Sequence, residues 1–393
     1  MSSAGGPGEA APVAVVVSGA GARGAYEAGA LSVILPALGD RQPQLYVGSS
    51  AGAINSLGFA ALSHLDPAAA AERVLDLWRG IGQGDVFRPL GATLLGAAAR
   101  MLLRGGGRRH RPVAVLDTAP LNATLGRILN WDQLHVNVRH GRVEACGVVA
   151  TAKHTHRSTV FLESRPSVAV PADDPIRDIG FVPARLTPAH VAGSSAIPAL
   201  FPAVSIETPG SGADWYVDGG VRLNTPIRPA LLLGARRVVV VATVPASLPA
   251  EAGDLQGDPP GVASGLIDVL RAVTVDPMVE ELRSLVGGNV RAGPHPHPQP
   301  DRLHPGTVEY VFAGPHRPDE LGRLAGQVLR RRGRCSLLAR FAATSPDLCE
   351  LASHVLFEPE FIDGAIELGR DDARRQLRDG AVVWKCCELP EAS

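Results

Sequence analysis

Three short stretches of this 393-residue chain hold residue types that could do chemistry together. The first is Tyr46-Val47-Gly48-Ser49-Ser50-Ala51-Gly52-Ala53-Ile54, an apolar run that turns through small residues into a helical pattern. Gly-x-Ser-x-Gly in that setting places Ser50 where a strand reverses sharply into a helix, so that its hydroxyl protrudes. Gly48 and Gly52 leave out the β-carbons that would collide as the arms of the turn close. The following helix would offer unpaired N–H groups and a positive dipole end beside the hydroxyl, which is the setting of an activated nucleophile. Ser49, off the centre of the pattern, reads as structural. The second stretch is Val13–Val17 followed by Ser18-Gly19-Ala20-Gly21-Ala22-Arg23-Gly24-Ala25-Tyr26, a β-branched run entering a glycine turn. The third is Trp215-Tyr216-Val217-Asp218-Gly219-Gly220, a short strand that ends in a carboxylate left exposed by two glycines.

The glycine turn admits three readings. Gly19 to Gly24 could present backbone N–H groups, around Gly21, to a developing oxyanion. The same residues match Gly-x-Gly-x-x-Gly after a strand, with Asp40 as the acidic residue that a dinucleotide site requires. They could also form an inert turn. Against the dinucleotide reading, Gln44–Gly48 runs directly into a serine elbow that a nucleotide fold does not need. Asp218 likewise reads either as a general base or as half of an ordinary Asp-Gly turn. A free Asp has a pKa of about 3.9, so service as a base would require burial beside Ser50 to raise it.

In this order, the three motifs resemble the signature of the patatin-like phospholipase family: a glycine-rich oxyanion loop, Gly-x-Ser-x-Gly, and Asp-Gly-Gly/Ala. The segment Val191-Ala192-Gly193-Ser194-Ser195-Ala196-Ile197-Pro198-Ala199-Leu200-Phe201-Pro202 is similar to the family's helix ahead of the acidic motif. The resemblance covers about residues 12–245, and three motifs in order are far more specific than any one of them. It implies a Ser50–Asp218 dyad without histidine, an oxyanion loop over Gly19, Ala20, Gly21, Ala22, Arg23 and Gly24, elbow glycines Gly48 and Gly52, and an acidic loop through Gly219 and Gly220. It implies no cofactor and no metal. The substrate class is then a lipid or fatty acyl ester, and the reaction is hydrolysis through an acyl-Ser50 intermediate. An acyltransferase using the same site and a non-catalytic lipid-binding protein are the competing classes. The family more often has three consecutive glycines where this chain has Gly19-Ala20-Gly21, and a left-handed backbone at Ala20 would be strained. Arg23 occupies the family's basic position, as an anchor of the loop.

The histidines bear on whether a Ser-His-Asp triad is the alternative machine. His154 and His156 lie in a polar turn, His190 on the helix before Ser194-Ser195, and His295, His297 and His304 in a Pro-rich loop. None sits in a diagnostic motif.

The elements that must position these residues form an α/β pattern. Residues 13–62 read as strand, glycine turn, helix, strand, nucleophile turn and helix, the opening of a parallel sheet. Helices are expected over 67–80, with Val74, Leu75, Leu77 and Trp78 as anchors, and over 118–129 with Thr118 as N-cap. Residues 143–152 and 158–163 suit a strand pair, and Arg236–Val244 suits a strand buried on both faces. The expected fold is a three-layer α/β sandwich with a mainly parallel central sheet, plus a mostly helical C-terminal extension. The corresponding division is a disordered tail (1–11), a catalytic domain (12–250), a Pro/Gly-rich connection with a short helix in Leu266–Leu285 (251–306), and the extension (307–393), in which 307–312 could add a strand.

Composition supports an ordinary globular chain, 45% hydrophobic and 20% charged. The net charge of −1 gives no electrostatic case for nucleic acid. Lys153 and Lys385 are the only lysines, a codon bias that discounts arginine clusters. Five cysteines, odd in number and without metal-ligand spacing, suit a reducing compartment, and Cys386-Cys387 carries no redox motif. Met1–Pro12 lacks the basic start of a secretory signal, and no apolar run reaches the roughly 18–20 residues of a membrane span. The expected location is cytoplasmic. Leu90–Arg104, with Leu90, Leu94, Ala98, Met101 and Leu102 on one helical face, is a candidate for peripheral contact with the inner membrane surface or for an acyl-pocket cap; packing on the core is the competing reading.

Overall fold

A computed structural model describes residues 12–88, 116–198, 200–208, 212–246, 265, 277–287, 307–332 and 345–386. Leu90–Arg104 and the histidines at 295, 297 and 304 lie outside the described residues.

The apolar run Val13–Val17 forms β1, and its neighbours in the sheet set the architecture. β1 pairs in parallel with β2 (Leu45–Ser49) on one side and with β8 (Arg237–Val241) on the other. From one edge the order is β5 (Ile179–Pro183), β4 (Ser158–Ser164), β3 (Ala145–Ala152), β2, β1, β8, β9 (Glu309–Ala313). Five of these pairings are parallel; β3 and β4 form an antiparallel hairpin. A second hairpin, β6 (Val204–Thr208) and β7 (Gly212–Asp218), joins through β7, which runs antiparallel to the end of β3 with Asp218 opposite Ala150. Among the described residues the sheet is thus mostly parallel and nine-stranded.

Successive side chains of a strand point to opposite faces, and β1 feeds two cores accordingly. Val13, Val15 and Val17 pack with the helices α1 (Gly24–Ala37), α2 (Ala51–Leu62) and α3 (Pro67–Arg79). Ala14 and Val16 pack on the other face with Leu223, Ile227, Leu282 and Leu285. Helices therefore cover both faces, which gives the three layers. The helical residues 277–287 contribute buried Met278, Leu282 and Leu285 to the second core.

Several expectations meet local differences. α3 buries Val74, Leu75 and Trp78, while Leu77 is only half-buried; its N-terminus is capped by Asp66, which accepts from the Ala68 and Ala69 N–H groups at 3.0 and 3.3 Å. The helix Ala119–Ile128 begins after Thr118, but the Thr118 side chain makes no capping bond, and the Asp117 carboxylate takes the Ala119 N–H instead. The helix Trp131–Arg139, N-capped by Asn130, and the strand β5 were not foreseen. The residues read as a helical extension do form helices at Glu320–Arg332, Pro346–Ala352 and Pro359–Arg374, yet β9 also extends the central sheet beside β8.

The helix Pro359–Arg374 lies against α1. α1 is apolar nearly all round, and it is buried from both sides rather than along one stripe. The two helices approach so closely that a β-carbon at Gly29 would strike the Ile366 carbonyl and one at Gly369 the Tyr26 carbonyl. The Tyr26 hydroxyl donates to Asp372 at 2.7 Å across this seam.

Candidate functional site

Ser50 sits between β2 and α2 with φ 53° and ψ −125°, a strained backbone for a residue with a side chain. The turn is held from outside. The Ser50 N–H donates to Ser194 Oγ at 2.7 Å, and that hydroxyl in turn donates to the Val149 carbonyl at 2.5 Å. Gly48 faces the Gly52 backbone and Gly52 faces the carbonyls of Val17 and Ser18, so neither position has room for a β-carbon. The neighbouring Ser49 hydroxyl is buried with no hydrogen-bond partner among the described residues.

The loop after β1 closes over this turn. Ala20 has φ −151°, and the left-handed conformation falls on Gly21 at φ 58°, where glycine bears it without strain. Its donors divide into two sets. Gly19 N–H is taken by Asn224, at 3.0 Å to Oδ1 and 3.2 Å to the carbonyl, and Ala22 N–H by the His354 carbonyl at 2.8 Å. The Arg23 and Gly24 N–H groups close the loop's own turn. The N–H groups of Ala20 and Gly21 have no acceptor among the described residues. Of the six residues Gly19, Ala20, Gly21, Ala22, Arg23 and Gly24, these two alone thus leave their N–H groups without an acceptor among the described residues. The Arg23 guanidinium is buried and points away from the turn, donating to Ser353 Oγ at 2.7 Å and pairing with Glu350 at 2.6 Å. Beneath the loop, Ser18 Oγ donates to Glu27 at 2.8 Å, and Asn55 joins Glu27 to Trp78 Nε1. Burial pushes the Glu27 carboxyl well up, against the two hydrogen bonds it accepts.

Asp218 ends β7. Its backbone N–H donates to the Ala196 carbonyl at 2.9 Å and its carbonyl accepts from Thr151 Oγ1 at 3.0 Å. The carboxylate accepts from Gly220 N–H at 2.7 Å and faces the Ser50 hydroxyl. Burial raises its pKa to about 6, while the Gly220 N–H and the Ser50 hydroxyl hold it down from a higher value. The Ser50 hydroxyl thus neighbours a carboxylate that titrates towards neutral pH.

The histidines fall elsewhere. His154 and His156 are exposed in the turn between β3 and β4. His190 closes a capping box with Thr187 and meets the Phe161 ring edge-on at 4.6 Å, with a pKa pushed down to about 4 by burial. Sequence reasoning passed over His354. It is half-buried, it lines the cavity at Ser50, and its ring faces the Ala20 carbonyl. Burial and then the charge of Arg23 hold it well below the usual histidine range, so it is neutral. Asn224 and Ser194 were also missed in their roles; each acts across more than 140 positions of sequence.

A cavity, partly open to solvent, lies at Ser50. Beyond Gly21, Ser50 and His354 its walls are nearly all apolar, with Ile54, Trp78, Leu121, Ile128, Phe201 and Phe357 among them. Phe87, Phe201 and Phe357 form an aromatic cluster at ring separations of 6.2 and 6.4 Å. Such a slot suits an alkyl chain, and among the described residues no Lys or Arg lies on its walls.

Residues 15–231, more than half of the 393-residue chain, match the model of a family described as patatin-like phospholipase. Among solved structures the chain is similar to VipD from Legionella pneumophila, at 13% sequence identity and a TM-score of 0.31, over 93% of this chain and 66% of that one. It thus spans just under two thirds of the length of VipD. No curated protein matches the chain.

Proposed function

Since the chain belongs to the patatin-like phospholipase family, we propose that it is a serine acyl hydrolase that cleaves carboxylic esters of lipids with a Ser50–Asp218 dyad. The observation that carries this reading is the buried Asp218 carboxylate facing the hydroxyl of Ser50, which itself lines an apolar cavity. In acylation, Asp218 takes the Ser50 proton as Oγ attacks the ester carbonyl. The carbonyl oxygen, now negative, is met by the Ala20 and Gly21 N–H groups, and the positive end of α2 lies beside it. Collapse expels the alcohol, which takes the proton back from Asp218. In deacylation a water gives its proton to Asp218 and attacks the acyl-Ser50 ester, releasing the fatty acid and returning the proton to Ser50. The acyl chain occupies the apolar cavity, and the polar head group remains at its mouth.

The test is release of free fatty acid. Added to micelles of a phosphatidylcholine, a lysophosphatidylcholine or a diacylglycerol, the protein should turn over at least one of them many times. No fatty acid from any of the three overturns the reading.

The loop's part is expected to lie in the transition state. Gly21→Val would force a β-branched residue to φ 58° and push its β-carbon into the His354 carbonyl, so both donors tilt away. Losing one such donor costs roughly 10²–10³ in kcat. A Gly21→Val protein with a raised KM and a normal kcat on a soluble short-chain ester would remove the loop from the oxyanion role.

A further inference from the structure

The matched family region ends at residue 231, yet five polar contacts of the loop that follows β1 are made by residues 350–354. The His354 carbonyl takes the Ala22 N–H at 2.8 Å, and the His354 ring faces the Ala20 carbonyl. Ser353 Oγ accepts from Arg23 Nε at 2.7 Å. Glu350 accepts from Arg23 twice, through its carboxylate at 2.6 Å and its backbone carbonyl at 3.1 Å. Together these contacts grip Ala20, Ala22 and Arg23, the residues on either side of Gly21.

We propose that the turn Glu350–His354 is a positioning element of the oxyanion loop, with His354 as its principal positioning residue. The geometry supplies the reason. A loop of small residues with a left-handed Gly21 has many alternative conformations, and each would point the Ala20 and Gly21 N–H groups elsewhere. Fixing the peptide on each side of Gly21 leaves one orientation. His354 does this from both ends: its carbonyl occupies the donor at Ala22, which would otherwise compete for the oxyanion, and its ring holds the Ala20 carbonyl turned back. With the Ala20 carbonyl so held, the Gly21 N–H of the same peptide unit must point the opposite way, since a trans peptide directs its C=O and N–H in opposite senses. Arg23 is anchored at the same turn by a buried ion pair, and breaking such a pair from one side is costly. The helix Pro346–Ala352, which carries Glu350, packs against the helix Glu320–Arg332.

The inference rests on the hydrolase reading for its effect on rate but not for its effect on the loop, so the experiment reads both. His354→Ala keeps the backbone carbonyl and removes the ring donor; His354→Gln offers an amide N–H in its place. Kinetics on a soluble short-chain ester should show kcat of His354→Ala reduced by roughly tenfold to a hundredfold, with KM within a factor of two, and His354→Gln recovering most of the loss. Hydrogen exchange followed by mass spectrometry should show the peptide containing Gly19–Arg23 exchanging at least tenfold faster in His354→Ala than in the wild type and in His354→Gln. Glu350→Gln, which keeps side-chain volume while weakening the Arg23 pair, serves as a second variant should His354→Ala fail to fold, with the same direction expected in both readouts. Unchanged loop exchange in whichever of these variants folds overturns the proposal, as does a loss carried by KM alone. A wild-type protein inactive on every ester defeats the hydrolase reading, and the exchange comparison still decides the role of His354.

Discussion

Ser50→Ala is expected to abolish ester turnover, with kcat falling by on the order of 10⁶, and to stop covalent labelling by a fluorophosphonate. The variant removes the attacking oxygen and leaves intact the bonds that shape the turn, since the Ser50 N–H to Ser194 contact is made by the backbone. Its fold should therefore persist. The strained backbone at this position adds a second, independent expectation. Ser50→Gly should be as inactive as Ser50→Ala but melt at a higher temperature, because glycine adopts φ 53° without the cost, about 1–3 kcal/mol, that alanine still bears. Labelling that survives in either variant would remove Ser50 from the covalent role. Equal melting temperatures would mean that the turn relaxes when the hydroxyl is gone.

Asp218→Asn is expected to cost roughly 10²–10⁴ in kcat, the usual worth of a general base. The amide retains an oxygen for the Gly220 N–H but has neither charge nor basicity for the Ser50 proton. With a folded-state pKa of about 6, the wild-type kcat/KM should fall as pH drops through 6, about tenfold per unit below it, and the residual activity of Asp218→Asn should lose that limb. The sign for stability is opposite to that of a salt-bridged carboxylate. Its pKa is raised on folding, from 3.8 to about 6, so stability is greatest where Asp218 is protonated and is lost as pH rises through 6. The penalty above that pH is on the order of 3 kcal/mol. Asp218→Asn should therefore melt above the wild type at pH 8, with the gap closing towards pH 5. His190→Gln and His354→Gln serve as controls: the first only caps a helix, and the second retains a donor to Ala20. A folded His→Gln variant as inactive as Asp218→Asn would replace the dyad with a triad.

The parts of the site that the sequence displayed are those written in consecutive residues. Val13–Val17 is buried on both faces and apolar throughout, and Gly48 and Gly52 flank Ser50 because the turn's own geometry leaves no room for side chains. The parts it hid depend on distant partners. Nothing near Ser194 announces that its hydroxyl would hold the Ser50 N–H 144 positions away, and nothing near His354 announces the loop it grips. The same limit explains the glycine loop. Local pattern allowed any of six N–H groups to face an oxyanion; the loop's own turn takes those of Arg23 and Gly24, and two distant residues, Asn224 and His354, take those of Gly19 and Ala22. The cap at Asp117 in place of Thr118 is a smaller case, decided by one residue of offset in backbone geometry. Likewise β9 was legible as a strand in 307–312, but its place beside β8 is a matter of long-range pairing.

The seam between α1 and the helix Pro359–Arg374 also fixes an order of events in biosynthesis. A polypeptide leaves the ribosome from its N-terminus, so β1, the glycine loop, α1 and the serine elbow emerge more than 300 residues ahead of the segment that covers them. During that interval α1, apolar on every side, has no partner for its outer face, and the Ala22 and Arg23 donors lack their acceptors at 350–354. Closing so long a loop adds little to the equilibrium cost, about 0.6 kcal/mol per doubling, but a high separation between contacting residues slows folding. The elbow can form early from local contacts, whereas the loop cannot reach this closed arrangement until the C-terminal helices have been made. A lipid-cleaving centre would then be assembled last, after the chain around it.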